Sequence, residues 1–325
     1  MKGKIISITV AVALLSALIY VSGPREIAQI LSRINVFTAL GGLVLLGVGA
    51  VLRTERWRFL LGKAGIKVPF WTAMKVYVAS LFLSNITPGK SGDPIRSVIL
   101  KKVSGESVSK SLPSVIVERA FDVGTMIAIG LVGISLLATS ATSTVMSWFA
   151  AAIAVYVVIF FLAIFSISSE PRARWSAKIA VAVVSKLPKI KNHSTKAEKF
   201  IMNMQESLSA YGGKKTIVVG AAYSLAIWMF EGLIVYVSFL SLGFDVPIIS
   251  AVAALSVTTL ISVLTFLPGG LGSSEVISVA FFTSLTMLTM ADVTAAAIVA
   301  RLLAYWVYVL VGAGLLATMK YKYSI

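Results

Sequence analysis

Six stretches of this sequence, roughly 5 to 22, 34 to 53, 113 to 138, 145 to 168, 216 to 241 and 292 to 317, stay apolar for the ~20 residues that a helix needs to cross a ~30 Å hydrocarbon layer. Inside hydrocarbon every backbone N–H and C=O has to be paired within the protein, so runs of this length read as helices. Two further apolar stretches, 72 to 112 and 248 to 290, are split near the middle by TPGKSGDP and LPGGLGSSE. Each half is too short to cross, and each stretch therefore reads as a re-entrant helix pair. The expected architecture is an all-α integral membrane protein with six transmembrane helices and two re-entrant pairs, in a single domain.

Composition supports a polytopic membrane protein: mean hydropathy is +0.94, with 58% hydrophobic and 13% charged residues among 325. The first apolar run follows Lys2 and Lys4 in the manner of a signal peptide, but SGPREIAQ after it offers no convincing small-residue cleavage site, so a retained first helix is expected. Cysteine is absent, which excludes disulfides, thiol nucleophiles and cysteine-ligated metals. A net charge of +16 would point to nucleic acid in a soluble protein. Here the basic residues flank apolar spans, so anionic lipid headgroups are the expected partners and nucleic acid is not.

Short cytoplasmic loops are enriched in lysine and arginine. With a cytoplasmic N-terminus, and with both broken stretches returning to the side they entered from, most of the 29 basic residues fall on the cytoplasmic side, Arg53 and Arg56 among them. Arg25 and Arg33 fall outside, while Lys90, Arg119 and Arg301 stay within apolar segments. Full crossing by either broken stretch would destroy that asymmetry. The layout contains an inverted repeat, 34 to 138 against 216 to 317, with one pair entering from each face. Pro88 precedes Arg119 by 31 residues and Pro268 precedes Arg301 by 33. Broken helices in inverted repeats are a transporter arrangement.

The polar stretch between the halves, 170 to 215, reads either as a basic cytoplasmic loop or, through Trp175, Ile179, Val183 and Val184 at helical spacing, as an amphipathic helix on an anionic surface. His193 has no Asp, Glu or His at ligand spacing, and no metal or other cofactor is expected.

Within NITPGKSGDPIR, Asp93 followed by Pro94 has the pattern of an N-cap and first helical position, so a half-helix should begin there. Its amides and dipole favour an anion, Gly89 and Gly92 permit close backbone approach, and Arg96 either grips a phosphate or snorkels to the interface. In LPGGLGSSE, Gly270 and Gly272 are the counterparts, a serine is expected as the cap, and Glu275 falls in the first turn. Glu118, Arg119 and Asp122 share one helical face within an apolar span, and Glu231 and Arg301 are isolated in apolar sequence. A charge at the bilayer centre costs about 2.5–3.5 kcal/mol on insertion scales, so these five face the interior, as a binding site or as an ion-pair scaffold. No HExxH, GxSxG, Walker loop or aspartate-rich diphosphate motif is present, and an enzyme is not expected.

Taken together, NITPGKSGDPIR, VERAFD, LPGGLGSSE and Arg301 ahead of YWVY resemble the lysylphosphatidylglycerol synthase transmembrane-region family, over nearly the whole chain. Asn85, Pro88, Gly92, Asp93, Pro94 and Arg96 match its first motif, in which glutamate is commoner than Asp93. Glu118, Arg119 and Asp122 match its second motif, and Pro268, Gly269, Gly270, Gly272 and Glu275 its third. The resemblance implies a flippase-like domain that moves lipid across the cell membrane. With the sequence ending at Ile325 and no soluble synthase domain, aminoacylation of lipid is not implied. The expected function is translocation of a phosphate-bearing lipid. Asn85, Gly89, Gly92, Asp93, Arg96, Arg119, Gly270, Gly272 and Arg301 would receive the headgroup, and Glu118, Asp122, Glu231 and Glu275 would balance charge or couple protons. A small-solute or ion transporter is the alternative, and a membrane-embedded lipid-phosphate transferase a more distant one.

The cysteine-free chain makes the topology directly testable. In intact cells, an impermeant maleimide should label Arg25→Cys at once, and should label Lys63→Cys and Glu106→Cys only after permeabilisation. Opposite accessibility at positions 63 and 106 would mean that the first broken stretch crosses fully.

Overall fold

In a computed structural model, residues 2–89, 91–137, 143–167, 175, 208 and 210–323 are described. They form α-helices and no strands. The helices are α1 (Lys2–Ser22), α2 (Pro24–Ser32), α3 (Val36–Lys63), α4 (Phe70–Asn85), α5 (Ile95–Ser104), α6 (Val108–Leu137) and α7 (Ser143–Ile167). After these come α8 (Lys214–Leu240), α9 (Ile248–Leu264), α10 (Ser273–Leu285) and α11 (Met290–Ala300), then a π-helical turn, Arg301–Trp306, and α12 (Val307–Tyr323). Val36–Lys63, Lys214–Leu240 and Met290–Tyr321 are each long and apolar enough to cross a bilayer. α1 and α2 pass only together, across a bend of 83°. Pro24 sits at the start of α2, where its missing N–H is harmless, and it cannot continue the hydrogen-bond ladder of α1. SGPREIAQ, which follows the first apolar run in the sequence, thus leads into a second helix. The amphipathic helix considered for 170 to 215 lies almost wholly outside the described residues.

α3–α6 and α8–α12 run through the same succession: a long helix, two shorter helices around a Pro-Gly break, and a long closing helix. α4 packs on α5 and α9 on α10, so the chain folds back at each break. Gly89 and Gly269, directly after Pro88 and Pro268, have φ of 60° and 58°, a conformation open to glycine and strained for other residues. The two breaks meet, joined by an isolated antiparallel bridge between Pro88 and Pro268. Packing between the halves is reciprocal: α3 lies on α8, α12 on α4, and α9 on α6. Exchanging the halves maps that set of contacts onto itself.

Three local expectations change. α3 does not end near Arg53 but continues to Lys63, carrying Arg53 and Arg56 into the bundle instead of a loop. Leu46, Gly49, Arg56 and Leu60 all lie on its buried face, at helical spacing. Asp93 does not cap α5, whose N-cap is Pro94 with no side-chain cap, because its carboxylate turns to Arg119. No serine caps α10 either, since Ser273 is already helical and donates to the Gly270 carbonyl, while Glu275 does fall in the first turn.

Small residues set how closely the halves approach. A Cβ on Gly312 of α12 would lie 2.6 Å from the Val78 carbonyl oxygen of α4, whereas one on Gly314 would meet nothing within 4 Å. Gly312→Ala should therefore destabilise by about 1–3 kcal/mol, read as a lowered thermal midpoint in detergent, with Gly314→Ala unchanged.

Candidate functional site

The site is built from charged side chains that long apolar helices carry inward. Arg56, fully buried, donates from Nη1 to Asp122 Oδ1 at 2.5 Å and from Nη2 to Glu118 Oε1 at 2.7 Å, and also bonds the Ser224 hydroxyl. Glu118, equally buried, accepts from Tyr77 Oη and from Arg96 Nη2, the latter at 2.6 Å. The Arg96 guanidinium lies 4.8 Å from the Trp57 ring centroid and 4.3 Å from that of Tyr77, within range of cation–π attraction. Trp57 is fixed in turn by donation to Ser114 Oγ, 3.0 Å away, and the Trp228 indole donates to Asp122 at 3.2 Å. Five helices, α3, α4, α5, α6 and α8, thus converge on two carboxylates one turn apart.

Beside this network lies a cavity of about 230 Å³. Arg53, Arg119 and Arg301 line it with Asp122, Glu231 and Glu275, three charges of each sign. Arg53 pairs with Glu231, and Tyr308 Oη lies 3.4 Å from the same guanidinium nitrogen. Arg53 and Glu231 occupy the same place in their helices, eighteen residues into α3 and α8. Arg119 Nε sits 2.8 Å from Asp93 Oδ2, and Arg301 Nε donates to Glu275 Oε1 at 2.6 Å. Both pairs span 26 residues, 93 to 119 and 275 to 301. The rest of the wall is apolar or hydroxylic: Ile234, Val235, Phe239, Leu255 and Phe282 surround Ser84, Thr258, Ser262 and Ser278. Ser262 Oγ is buried without a hydrogen-bond partner among the described residues.

Of the residues expected from sequence, Asn85, Gly89, Arg119, Asp122, Glu231, Gly270, Glu275 and Arg301 line this cavity. Gly92, Asp93, Arg96, Glu118 and Gly272 do not. Gly92 abuts the Leu83 carbonyl, where a Cβ would come within 2.6 Å, and Gly272 abuts α1, 2.8 Å from the Ala11 carbonyl on the same test. Arg96 is 2% exposed and paired with Glu118. Sequence reading missed Arg53, Arg56, Tyr77, Trp228, Tyr305 and Tyr308. The i, i+3 placement of Arg53 and Arg56 on the Leu46–Gly49–Leu60 face was the signal available for the two arginines.

Because Arg56 bridges both buried acids, Arg56→Met should leave the Glu118–Asp122 pair one positive charge short and destabilise by about 3–5 kcal/mol. Arg58→Met, whose partner Glu55 is 37% exposed, should cost no more than about 1 kcal/mol. Chemical unfolding in detergent would compare the two.

Several known proteins are similar to this chain. A UPF0104 membrane protein of Methanothermobacter thermautotrophicus is 28% identical over 315 residues, covering 94% of this chain and 92% of that protein. A UPF0104 membrane protein of Pyrococcus horikoshii is 23% identical over 320 residues, covering 95% of each. The glycosyltransferase AglD of Haloferax volcanii is 26% identical over 306 residues, 85% of this chain but 48% of that protein. Residues 4–312 match the family described as the lysylphosphatidylglycerol synthase TM region. With that match over almost its full length, this integral membrane protein belongs to the lysylphosphatidylglycerol synthase transmembrane-region family.

Proposed function

We propose that the protein is a lipid translocase, not an enzyme, that turns a phosphate-bearing headgroup through the central cavity while the acyl or prenyl chains stay in the bilayer. One observation carries the reading. A single cavity brings three arginines and three carboxylates against an extended apolar wall, at the place where two similarly built halves meet. A headgroup needs the first and a lipid chain the second. In this reading α3–α6 and α8–α12 are inverted repeats, with α4–α5 and α9–α10 as hairpins dipping in from opposite faces. Six spans complete the fold in the cell membrane, and both termini are cytoplasmic. Arg119 and Arg301 hold the phosphate. Asp122, Glu231 and Glu275 balance the arginines when the cavity is empty and are the candidate proton acceptors during turnover.

Family membership supports this reading through the lipid in the family's description. The glycosyltransferase name belongs to AglD, of which the shared region is 48%. Reconstitution into vesicles with labelled phospholipid or polyprenyl phosphate tests the proposal. Lipid should equilibrate between leaflets, and Arg119→Ala and Arg301→Ala should each slow it at least about tenfold, the loss of one charge-assisted contact. Unchanged scrambling in both variants would reject the roles, and solute flux without lipid movement would favour the small-solute alternative.

A further inference from the structure

Arg119 and Arg301 hold equivalent places in the two halves, each paired with an acid 26 residues earlier beside a Pro-Gly break, yet their hydrogen bonding is unequal. All three nitrogens of Arg301 are engaged. Nε donates to Glu275, Nη1 to the Gly269 carbonyl at 3.1 Å, and Nη2 to the Gly270 carbonyl at 3.3 Å and to Ser274 Oγ. Arg119 lies within ion-pair range of Asp93 and of Asp122, 2.8 and 3.3 Å away, but forms no aligned hydrogen bond among the described residues, and its buried Nε has no hydrogen-bond partner. Its side chain is also the more open of the two, 31% exposed against 22%. The guanidinium is hydrogen-bonded at every nitrogen in one half and held by ion pairs alone in the other, and both line one cavity.

Two oxygens of a phosphate ester can accept together from the planar fork of a guanidinium, the aligned contact that Arg119 lacks. To reach Arg301, the same ligand would first have to displace two backbone carbonyls and a hydroxyl. We propose that the cavity holds two half-sites of the same build: Arg119, beside Asp93, takes the phosphate in the conformation described, and Arg301, beside Glu275, is closed by its own break. The closed half-site opens when the Gly269–Ser274 segment lets go of Arg301, and the headgroup then passes from one arginine to the other. Local backbone geometry follows the same difference. The closing helix of the second half has a π-helical turn starting at Arg301, a feature that recurs at functional sites, whereas α6 runs through Arg119 as unbroken α-helix. The inference rests on the phosphate-lipid reading above.

The test uses the purified full chain in detergent and calorimetric titration with dihexanoyl phosphatidic acid. The doubles Asp93→Asn/Arg119→Gln and Glu275→Gln/Arg301→Gln each remove an acid and a base together, so neither alters the net charge of the protein. The first double should weaken binding about tenfold or more, the second by less than about threefold. Ser274→Ala, added to the first double, removes one of the contacts that close Arg301 and should recover part of the lost affinity. Equal losses in the two doubles, a larger loss in the second, or no recovery with Ser274→Ala would overturn the half-site assignment while leaving lipid binding intact. Glycerol 3-phosphate and inorganic phosphate, titrated in parallel, separate the sources of the anion. Binding of these as tight as the lipid's, with the same dependence on Arg119, keeps the half-sites but removes the lipid. A wild-type protein that binds none of the three ends both readings.

Discussion

The Arg56 guanidinium between Glu118 and Asp122 is the interaction on which the rest depends. An unpaired charge in a bundle this apolar would be expelled or neutralised, and a pair is tolerated only where its remaining hydrogen-bonding capacity is also filled. Tyr77, Arg96, Ser224 and Trp228 supply that filling from three other helices. The network thereby fixes which helices meet and at what height. Five arginines, at 53, 56, 96, 119 and 301, face five acids, at 93, 118, 122, 231 and 275, each within a direct pair.

A division of labour follows from burial. Arg56 and Arg96 are buried and pair with Glu118, and the Arg96 guanidinium also faces the Trp57 and Tyr77 rings. Arg53, Arg119 and Arg301 border open volume. Of the charged residues expected to receive a headgroup, Arg119 and Arg301 line the cavity, and Asp93 and Arg96 lie behind it. Glu118 and Asp122 divide in the same way, since one helical turn separates a sealed carboxylate from a cavity-lining one.

The sequence made the broken stretches legible, because Pro and Gly have few structural uses inside an apolar run. It also marked Glu118, Arg119, Asp122, Glu231, Glu275 and Arg301, because charge there stands out against its neighbours. Arg53 and Arg56 were hidden for the opposite reason. Their local context, with Arg58, Lys63 and Lys67 following, has the composition of a cytoplasmic loop, and the partners that draw them inward lie 178 residues away for Arg53 and 62 to 66 for Arg56. The Asp93 cap failed similarly: a short-range pattern pointed to the first amides of α5, and a guanidinium 26 positions on proved the stronger attraction.

The halves also differ in what surrounds them. α1 packs on α10, α2 on α11, and α7 on both α9 and α10, so the second broken pair is clad by helices from outside the succession. The first broken pair has no such cladding among the described residues: α5 packs on α4 and α6, and α4 on α3 and α12. For the lipid proposed above, an acyl chain approaching in the plane of the membrane would meet these added helices on one flank and none among the described residues on the other. Lateral entry from the α4–α5 flank would deliver a headgroup to the side of the cavity where Arg119 stands.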